Sequence, residues 1–335
     1  MLVKQYLTPE IHLALQNKVA KCGFTLEDII RSGFENTDGD IGIYAGDEDC
    51  YHQFAILFDA IIQDYHHYQP HEIHPKNLDD SDLESLPNLD PEDNRILSTR
   101  IRVGRNLKGY ALPPAISKEA RQEVEAQIIT ALAKLDGEHK GHYYPLCEMS
   151  ESTRAQLVAD HFLFKKGDRF LESAGVNRDW PDSRGIFHSD DKQFLIWVNE
   201  EDQLRIISIQ KGADIAQVFK RLVTGIQALE QEIPLQFDPH LGYISSCPTN
   251  LGTALRASVH IKLPLLSQTN YFKKICADLE LSIRGIHGEH SESIGGIWDI
   301  SNKRRLGLTE VDCVLTLYNG VKKLIQLEIE LENKR

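Results

Sequence analysis

The chain has no apolar run near the ~20 residues that a membrane-spanning helix needs, and its opening, Met1-Leu2-Val3-Lys4-Gln5-Tyr6, lacks the basic stretch and long apolar core of a secretory leader. It is also short of positive charge. Over 335 residues, 37 Lys and Arg face 50 Asp and Glu, a formal net charge of −13. That balance argues against a general nucleic-acid binder, which must neutralise phosphates, and against docking on an anionic membrane. Six cysteines (Cys22, Cys50, Cys147, Cys247, Cys276, Cys313) are scattered and form no CxxC pair, so neither a zinc site nor a disulfide framework is expected. Reduced thiols in a cytoplasmic protein are the simpler reading. There is no P-loop, no GxGxxG after a strand, no internal repeat and no low-complexity segment.

What is present is ordinary globular material, 41% hydrophobic and 26% charged, which is too apolar for disorder and long enough for roughly two domains. Residues 1–75 read as mainly helical. Helical spacing runs over Pro9–Cys22 and Thr25–Ser32, with Thr25 as N-cap, and again over Tyr51–Tyr65. The stretch 36–44 is a loop by its glycines and Asx residues. Residues 76–94 are acidic and punctuated by proline, and are taken as a linker to a second domain at 95–335. That part has helices predicted at 117–135, on a stripe of Val124, Ile128, Leu132 and Leu135, and after an Asp214 N-cap. Strands are predicted at 194–198, 204–210, 258–263 and 281–286. Only five residues separate the first two strands, too few for a helical crossover. An α+β fold with an antiparallel sheet follows.

Several short polar segments carry possible chemistry. Arg100 and Arg102 in Ser98-Thr99-Arg100-Ile101-Arg102 fall on one face of an extended strand, and two guanidinium forks side by side suit a polyphosphate; the alternative is a solvated strand edge. Glu200-Glu201-Asp202 sets three carboxylates between two apolar strands, either as a solvated hairpin tip or as a cation site. Cys247 precedes a proline near arginines and is a candidate for a lowered thiol pKa, or else a small buried hydrophobe. The stretch from Arg284 to Asp299 has the glycines of a loop that closes over substrate. His66, His67, His71 and His74 lack the spacing of a metal site and are read as surface or linker histidines.

Taken in order, Ser98-Thr99-Arg100-Ile101-Arg102, Asp160-His161-Phe162-Leu163-Phe164, Asn199-Glu200-Glu201-Asp202, Cys247-Pro248-Thr249-Asn250-Leu251-Gly252-Thr253, and Arg284-Gly285 with Gly288-Glu289-His290 resemble the phosphagen (guanidino) kinases. The resemblance implies a small all-helical N-terminal domain and a larger antiparallel-sheet domain of glutamine-synthetase-like type. The implied reaction is reversible transfer of the ATP γ-phosphoryl group to a guanidino nitrogen, with Mg²⁺ as cofactor, in a monomer or homodimer. It implies nucleotide contacts at Ser98, Thr99, Arg100, Ile101, Arg102, His161, Arg205, Arg256, Ala257, Ser258, Val259, His260, Arg284, Gly285, Ile286, His287, Gly288, Glu289, His290 and Asp299. Catalysis would fall to Glu201, Glu289, Cys247 and Arg256. Glu201, Cys247 and Glu289 would also touch the guanidino substrate, together with the loop Asp40, Ile41, Gly42, Ile43 and Tyr44. No direct metal ligand is implied; Glu200 and Asp202 would reach Mg²⁺ through water. Glu289 resembles the arginine-specific position, which makes L-arginine the expected acceptor and taurocyamine or a similar guanidino acid the alternative. Gly39-Asp40 departs from the family's Ser-Gly in the loop.

Overall fold

A computed structural model describes residues 1–160, 162–285 and 295–334. His161 and residues 286–294, which include Ile286, His287, Gly288, Glu289 and His290, lie outside the described residues.

The alternating burial of residues 96–105 explains the centre of the fold. Ile101 and Val103 point into the core while Ser98, Arg100, Arg102 and Gly104 point to the other side. This strand, β1 (Ile96–Arg105), is joined in an eight-stranded sheet by β2 (Gly141–Pro145), β3 (Gly185–Ser189), β4 (Phe194–Val198) and β5 (Leu204–Lys211). After a small ribbon of β6 (Phe237–Asp238) and β7 (Gly242–Tyr243), the sheet is completed by β8 (Leu255–Lys262), β9 (Leu281–Arg284) and β10 (Ile297–Asn302). The order is β2-β3-β4-β5-β1-β8-β10-β9, and every pairing in it is antiparallel. β1 is therefore interior, hydrogen-bonded on both sides. The solvated-edge alternative for Arg100 and Arg102 is excluded.

The N-terminal part holds α1 (Leu2–Tyr6), α2 (Pro9–Leu15), α3 (Leu26–Glu35), α4 (Glu48–Gln53) and α5 (Ala55–His66). They are followed by α6 (Ser81–Glu84), α7 (Lys118–Leu132), α8 (Glu151–Ala159), α9 (Arg169–Ser173), α10 (Ile215–Glu230), α11 (Phe272–Asp278) and α12 (Glu310–Glu332). The expected stripes are those that are buried: Val124, Ile128 and Leu132 of α7, and Ile215, Val218, Phe219, Leu222, Ile226 and Leu229 of α10, join the core beneath the sheet. Each such aliphatic side chain contributes roughly 1.5–3 kcal/mol when fully buried. The caps work as read: Thr25 and Asp28 close a capping box on α3, and Asp214 accepts from Gln217 N at 3.0 Å. Two helices come out differently from the sequence. The stretch 51–65 is split at Phe54 into α4 and α5, because Phe54 is wholly buried and takes a non-helical backbone there. The helix from Pro9 stops at Leu15 rather than reaching Cys22.

The N-terminal helices form a second core that also includes Leu112, Leu241, Ile244, Leu251 and Leu306 from beyond residue 95. The segment 76–94 sets Leu83 of α6 into the main core. This packing joins the two parts of the chain around one cleft.

At the end of β1, Arg105 is fully buried. Its guanidinium donates to Thr253 O at 2.9 Å, lies 3.3 Å from the Tyr243 ring centre, and faces Glu310 of α12 at 4.0 Å. Removing one member of a buried charge pair leaves the other uncompensated. Glu310→Ala is accordingly expected to cost about 3 kcal/mol of unfolding free energy, measured by urea denaturation.

Candidate active site

The register of the central strands gathers the predicted residues on the face opposite α10 and α12. Ser98 pairs with His260, Arg100 with Ser258, and Arg102 with Arg256 across β1 and β8. Gly104 pairs with Arg205 on β5, His260 with Asp299 on β10, and Asp299 with Arg284 on β9. Cross-strand partners share a face, so five arginines from β1, β5, β8 and β9 converge. Thr99, Ile101, Ala257 and Val259 alternate to the other side, where their side chains are buried and Thr99 donates to Gly212 O at 2.8 Å. Only their backbone belongs to the site face.

Tyr65, Asn250 and Arg305 join this group without having been expected. Arg305 donates to Asn250 Oδ1 and to Thr249 O at 3.3 Å; Asn250 Nδ2 in turn donates to Glu201 Oε1 at 2.9 Å. Glu201 Oε2 meets Arg205, whose other nitrogen pairs with Glu200 at 2.9 Å. The carboxylate is thus held between an amide and a guanidinium. Arg100 and Arg205 both stack near Trp197, at 5.4 and 5.5 Å. The signals for the missed residues were present but weak: the basic run Lys303-Arg304-Arg305, and an Asn inside the Cys247 motif.

The electrostatics are those of an anion site. Burial pushes the Arg100 guanidinium down to about 10, with Arg256 and Arg205 adding to it. Arg102 is pushed well below its ordinary value by burial, then by Arg205, Arg100 and Arg256. Among the described residues no carboxylate pairs with Arg100 or Arg102, whereas Arg256 pairs with Asp299 at 2.8 Å. Burial raises the Asp299 carboxyl, but Arg256 outweighs it and the group ends below the usual range. Arg100 Nε and Asp299 Oδ1 are buried without a hydrogen-bond partner among the described residues. A crowd of guanidinium groups with too few carboxylates fits a polyphosphate.

The carboxylate triplet is not a solvated tip. The Glu200 and Glu201 side chains are 12% and 19% exposed, and Asp202 is 2% exposed. Asp202 Oδ1 accepts from Asn106 Nδ2 at 2.8 Å and Ser245 Oγ at 2.9 Å, and its carboxyl is raised, first by burial and then by Glu201. Glycine at 104 makes room for this carboxylate, since a Cβ there would lie 2.6 Å from Asp202 Oδ2. Glu200 is held by Arg205. Neither carboxylate is a free metal ligand.

Cys247 is a correction. Instead of a lowered pKa, its thiol is pushed up to about 12, first by burial and then by the Glu201 charge; the Thr249 hydroxyl at 3.1 Å offsets this only in part. Alkylation by iodoacetamide at neutral pH is expected to be much slower at Cys247 than at exposed Cys147, as peptide mapping would show. A second correction concerns the histidines. His67 and His71 are exposed, but His66 and His74 are buried, and burial lowers both to about 4. His66 Nε2 lies 2.8 Å from Pro248 O, so α5 supports the loop that carries Cys247.

Facing the arginines is a cleft of about 280 Å³, room for one small molecule. It is lined by Asp40, Ile41, Gly42, Ile43 and Tyr44 on the N-terminal side and by Glu201, Cys247, Asn250, Arg102, Arg284 and Arg305 on the other. The loop is fixed from behind: Leu2 N donates to Asp40 O at 2.8 Å and Val3 N to Ile41 O at 3.0 Å. Gly42 has φ +83°, and a Cβ there would strike Met1 and Val3 at 2.7 Å. The Gly42 and Ile43 N–H groups donate to no described residue.

A sheet face crowded with arginines against a small cleft with an anchored carboxylate is the arrangement a phosphotransferase needs. The chain belongs to the ATP:guanido phosphotransferase family, the phosphagen kinases. Its family models match here as the N-terminal domain over residues 1–63 and the C-terminal catalytic domain over residues 123–331. The particular relatives are arginine kinases. One from Anthopleura japonica is 53% identical over 332 residues, covering 98% of this chain and 46% of that protein, so the chain spans about half of its length. One from Penaeus vannamei is 48% identical, covering 98% and 93%, and a probable arginine kinase of Caenorhabditis elegans is 50% identical, covering 98% and 92%. Among solved structures, a lombricine kinase superposes with a TM-score of 0.93 at 40% identity, covering 100% of this chain and 93% of that one. A duplicated taurocyamine kinase from Schistosoma mansoni superposes with a TM-score of 0.93 at 45% identity, covering 99% and 46%.

Proposed function

We propose that this enzyme transfers the γ-phosphoryl group of ATP reversibly to the guanidino group of L-arginine. The observation that carries the reading is the cleft with Glu201 and Cys247 at one wall, the loop 40–44 at another, and the sheet arginines beyond. Residues 1–75 would supply the acceptor loop, 76–94 the connection, and 95–335 the nucleotide face.

In this reading Arg100, Arg102, Arg205, Arg256 and Arg284 hold the phosphates, with Ser98, Ser258, His260 and Asp299 bordering the nucleotide. Phosphoryl transfer needs alignment and charge neutralisation more than covalent help. Glu201, fixed by Asn250 and Arg205, aligns one acceptor nitrogen and takes its proton as the N–P bond forms and the P–O bond to ADP breaks. The Cys247 sulfur packs beside the same guanidinium. Mg²⁺ would arrive with the nucleotide and neutralise phosphate charge. Glu200, rather than Asp202, is the carboxylate we retain for a water of that ion, since Asp202 is already committed to Asn106 and Ser245. His161 and the stretch 286–290 with Glu289 keep their expected roles as proposals from the resemblance.

For the acceptor's other end, the unengaged N–H groups of Gly42 and Ile43 suit a carboxylate and exposed Asp40 suits an ammonium. L-Arginine carries both. A cytoplasmic location agrees with the six free thiols. The second reading, taurocyamine or a related acid as acceptor, is favoured only by the likeness to the taurocyamine kinase fold. A coupled assay with MgATP and a panel of guanidino acceptors tests both; L-arginine should give the highest kcat/KM, and a higher value for taurocyamine would reverse the order. Asp40→Asn should raise KM for L-arginine several-fold with little change in kcat, the pattern of lost ground-state binding.

A further inference from the structure

The scattered cysteines are not all separate in space. Cys22, at the turn between α2 and α3, and Cys50, in α4, meet Asp47 so that their Sγ atoms and a carboxylate oxygen lie within 4.8 Å of one another. We infer that Cys22, Cys50 and Asp47 form a binding site for a thiophilic divalent cation of the Zn²⁺ class, on the segment that leaves the acceptor loop.

Three features support a built site. The first is donor chemistry: two sulfurs and one carboxylate oxygen are ligands that Zn²⁺ accepts in tetrahedral geometry, and with metal–sulfur bonds near 2.3 Å and metal–oxygen bonds near 2.0 Å the ligand atoms stand roughly 3.5–4 Å apart. The observed spacing needs only a small contraction. The second is orientation. Asp47 is held by two backbone donors, Cys22 N to Oδ2 at 2.7 Å and Cys50 N to Oδ1 at 2.9 Å, which leaves lone pairs on both oxygens. Gly46 N donates to Cys50 Sγ at 3.3 Å, a contact of the kind that steadies a ligating sulfur. The third is close approach: a Cβ at Gly46 would lie 2.8 Å from Cys22 Sγ and 2.7 Å from Phe24, so glycine lets the Cys22 sulfur come up against the backbone that also carries Asp47. Cys50 is fully buried, whereas Cys22 and Asp47 are partly exposed, which gives an ion a way in and leaves the fourth position to water.

The site also sits where it can matter. Gly46 O accepts from Leu112 N at 2.8 Å, and the preceding Ala45 N donates to Ser246 O at 2.8 Å, beside Cys247. An ion there would tie the turn at Cys22 to the segment that leaves the acceptor loop, and binding to the folded chain would raise its stability.

The test is titration of the reduced, chelator-treated protein with Co²⁺, followed by displacement with Zn²⁺. The expected result is one equivalent bound with a sulfur-to-cobalt charge-transfer band, loss of that band on adding Zn²⁺, and a Zn²⁺-dependent rise in Tm. Cys22→Ser, at a partly exposed position that should fold normally, should abolish the band and weaken binding beyond the roughly 10–100-fold that loss of a partner behind a ligand costs. Cys247→Ser should leave the band intact. No band in the wild-type protein, a band that survives Cys22→Ser, or oxidation to a Cys22–Cys50 disulfide without any cation uptake by the reduced form would each overturn the inference.

Discussion

Glu201→Gln should lower kcat by roughly 10²–10⁴-fold while leaving the Kd for ADP within about twofold, read from steady-state kinetics and a separate binding titration. The amide keeps the size of the side chain and can still accept from Asn250. Arg205 keeps its pairing with Glu200 at 2.9 Å, so the nucleotide face is not dismantled. What is lost, in the proposed function, is the negative charge that aligns a guanidinium and the oxygen that accepts its proton. A variant with more than a tenth of the original kcat would show that Glu201 does neither. A parallel loss of ADP binding would show instead that the change propagates through Arg205.

Arg102→Met should move activity and stability in opposite directions. Arg102 lies in the middle of the guanidinium group with no carboxylate partner among the described residues, and its positive charge is opposed by burial and by Arg205, Arg100 and Arg256. Methionine keeps much of the apolar stem and removes that repulsion, so the unfolding free energy should rise by about 1 kcal/mol in urea. In the proposed function the same substitution removes a phosphate donor, and a single such donor is worth roughly 10²–10³-fold in kcat. Lower stability together with lower activity would indicate a packing defect in place of a lost phosphate contact.

The alternation in β1 and the caps at Thr25 and Asp214 were legible because they depend on neighbours a few residues away. The convergence of Arg100, Arg102, Arg205, Arg256 and Arg284 was legible only as a match to a family's ordered motifs. No spacing rule connects residues more than a hundred positions apart. The sheet register supplies the physical cause, by placing Arg102 opposite Arg256 and Gly104 opposite Arg205. Arg305 and Asn250 were missed for the same reason, since each acts through a partner distant in sequence.

Local chemistry and chain order, then, determined α3, α7 and α10, the antiparallel pairing of 194–198 with 204–210, and the family. Burial decided the rest. A cysteine near arginines reads as an activated thiol until the fold removes it from water and sets it beside Glu201. His66 and His74 read as polar surface until α5 and the loop near Gly307 enclose them. Cys22 and Cys50 read as unrelated until α4 folds back on the turn before α3. Desolvation, and proximity between residues far apart in sequence, are properties of the packed chain, so only the tertiary structure could assign them.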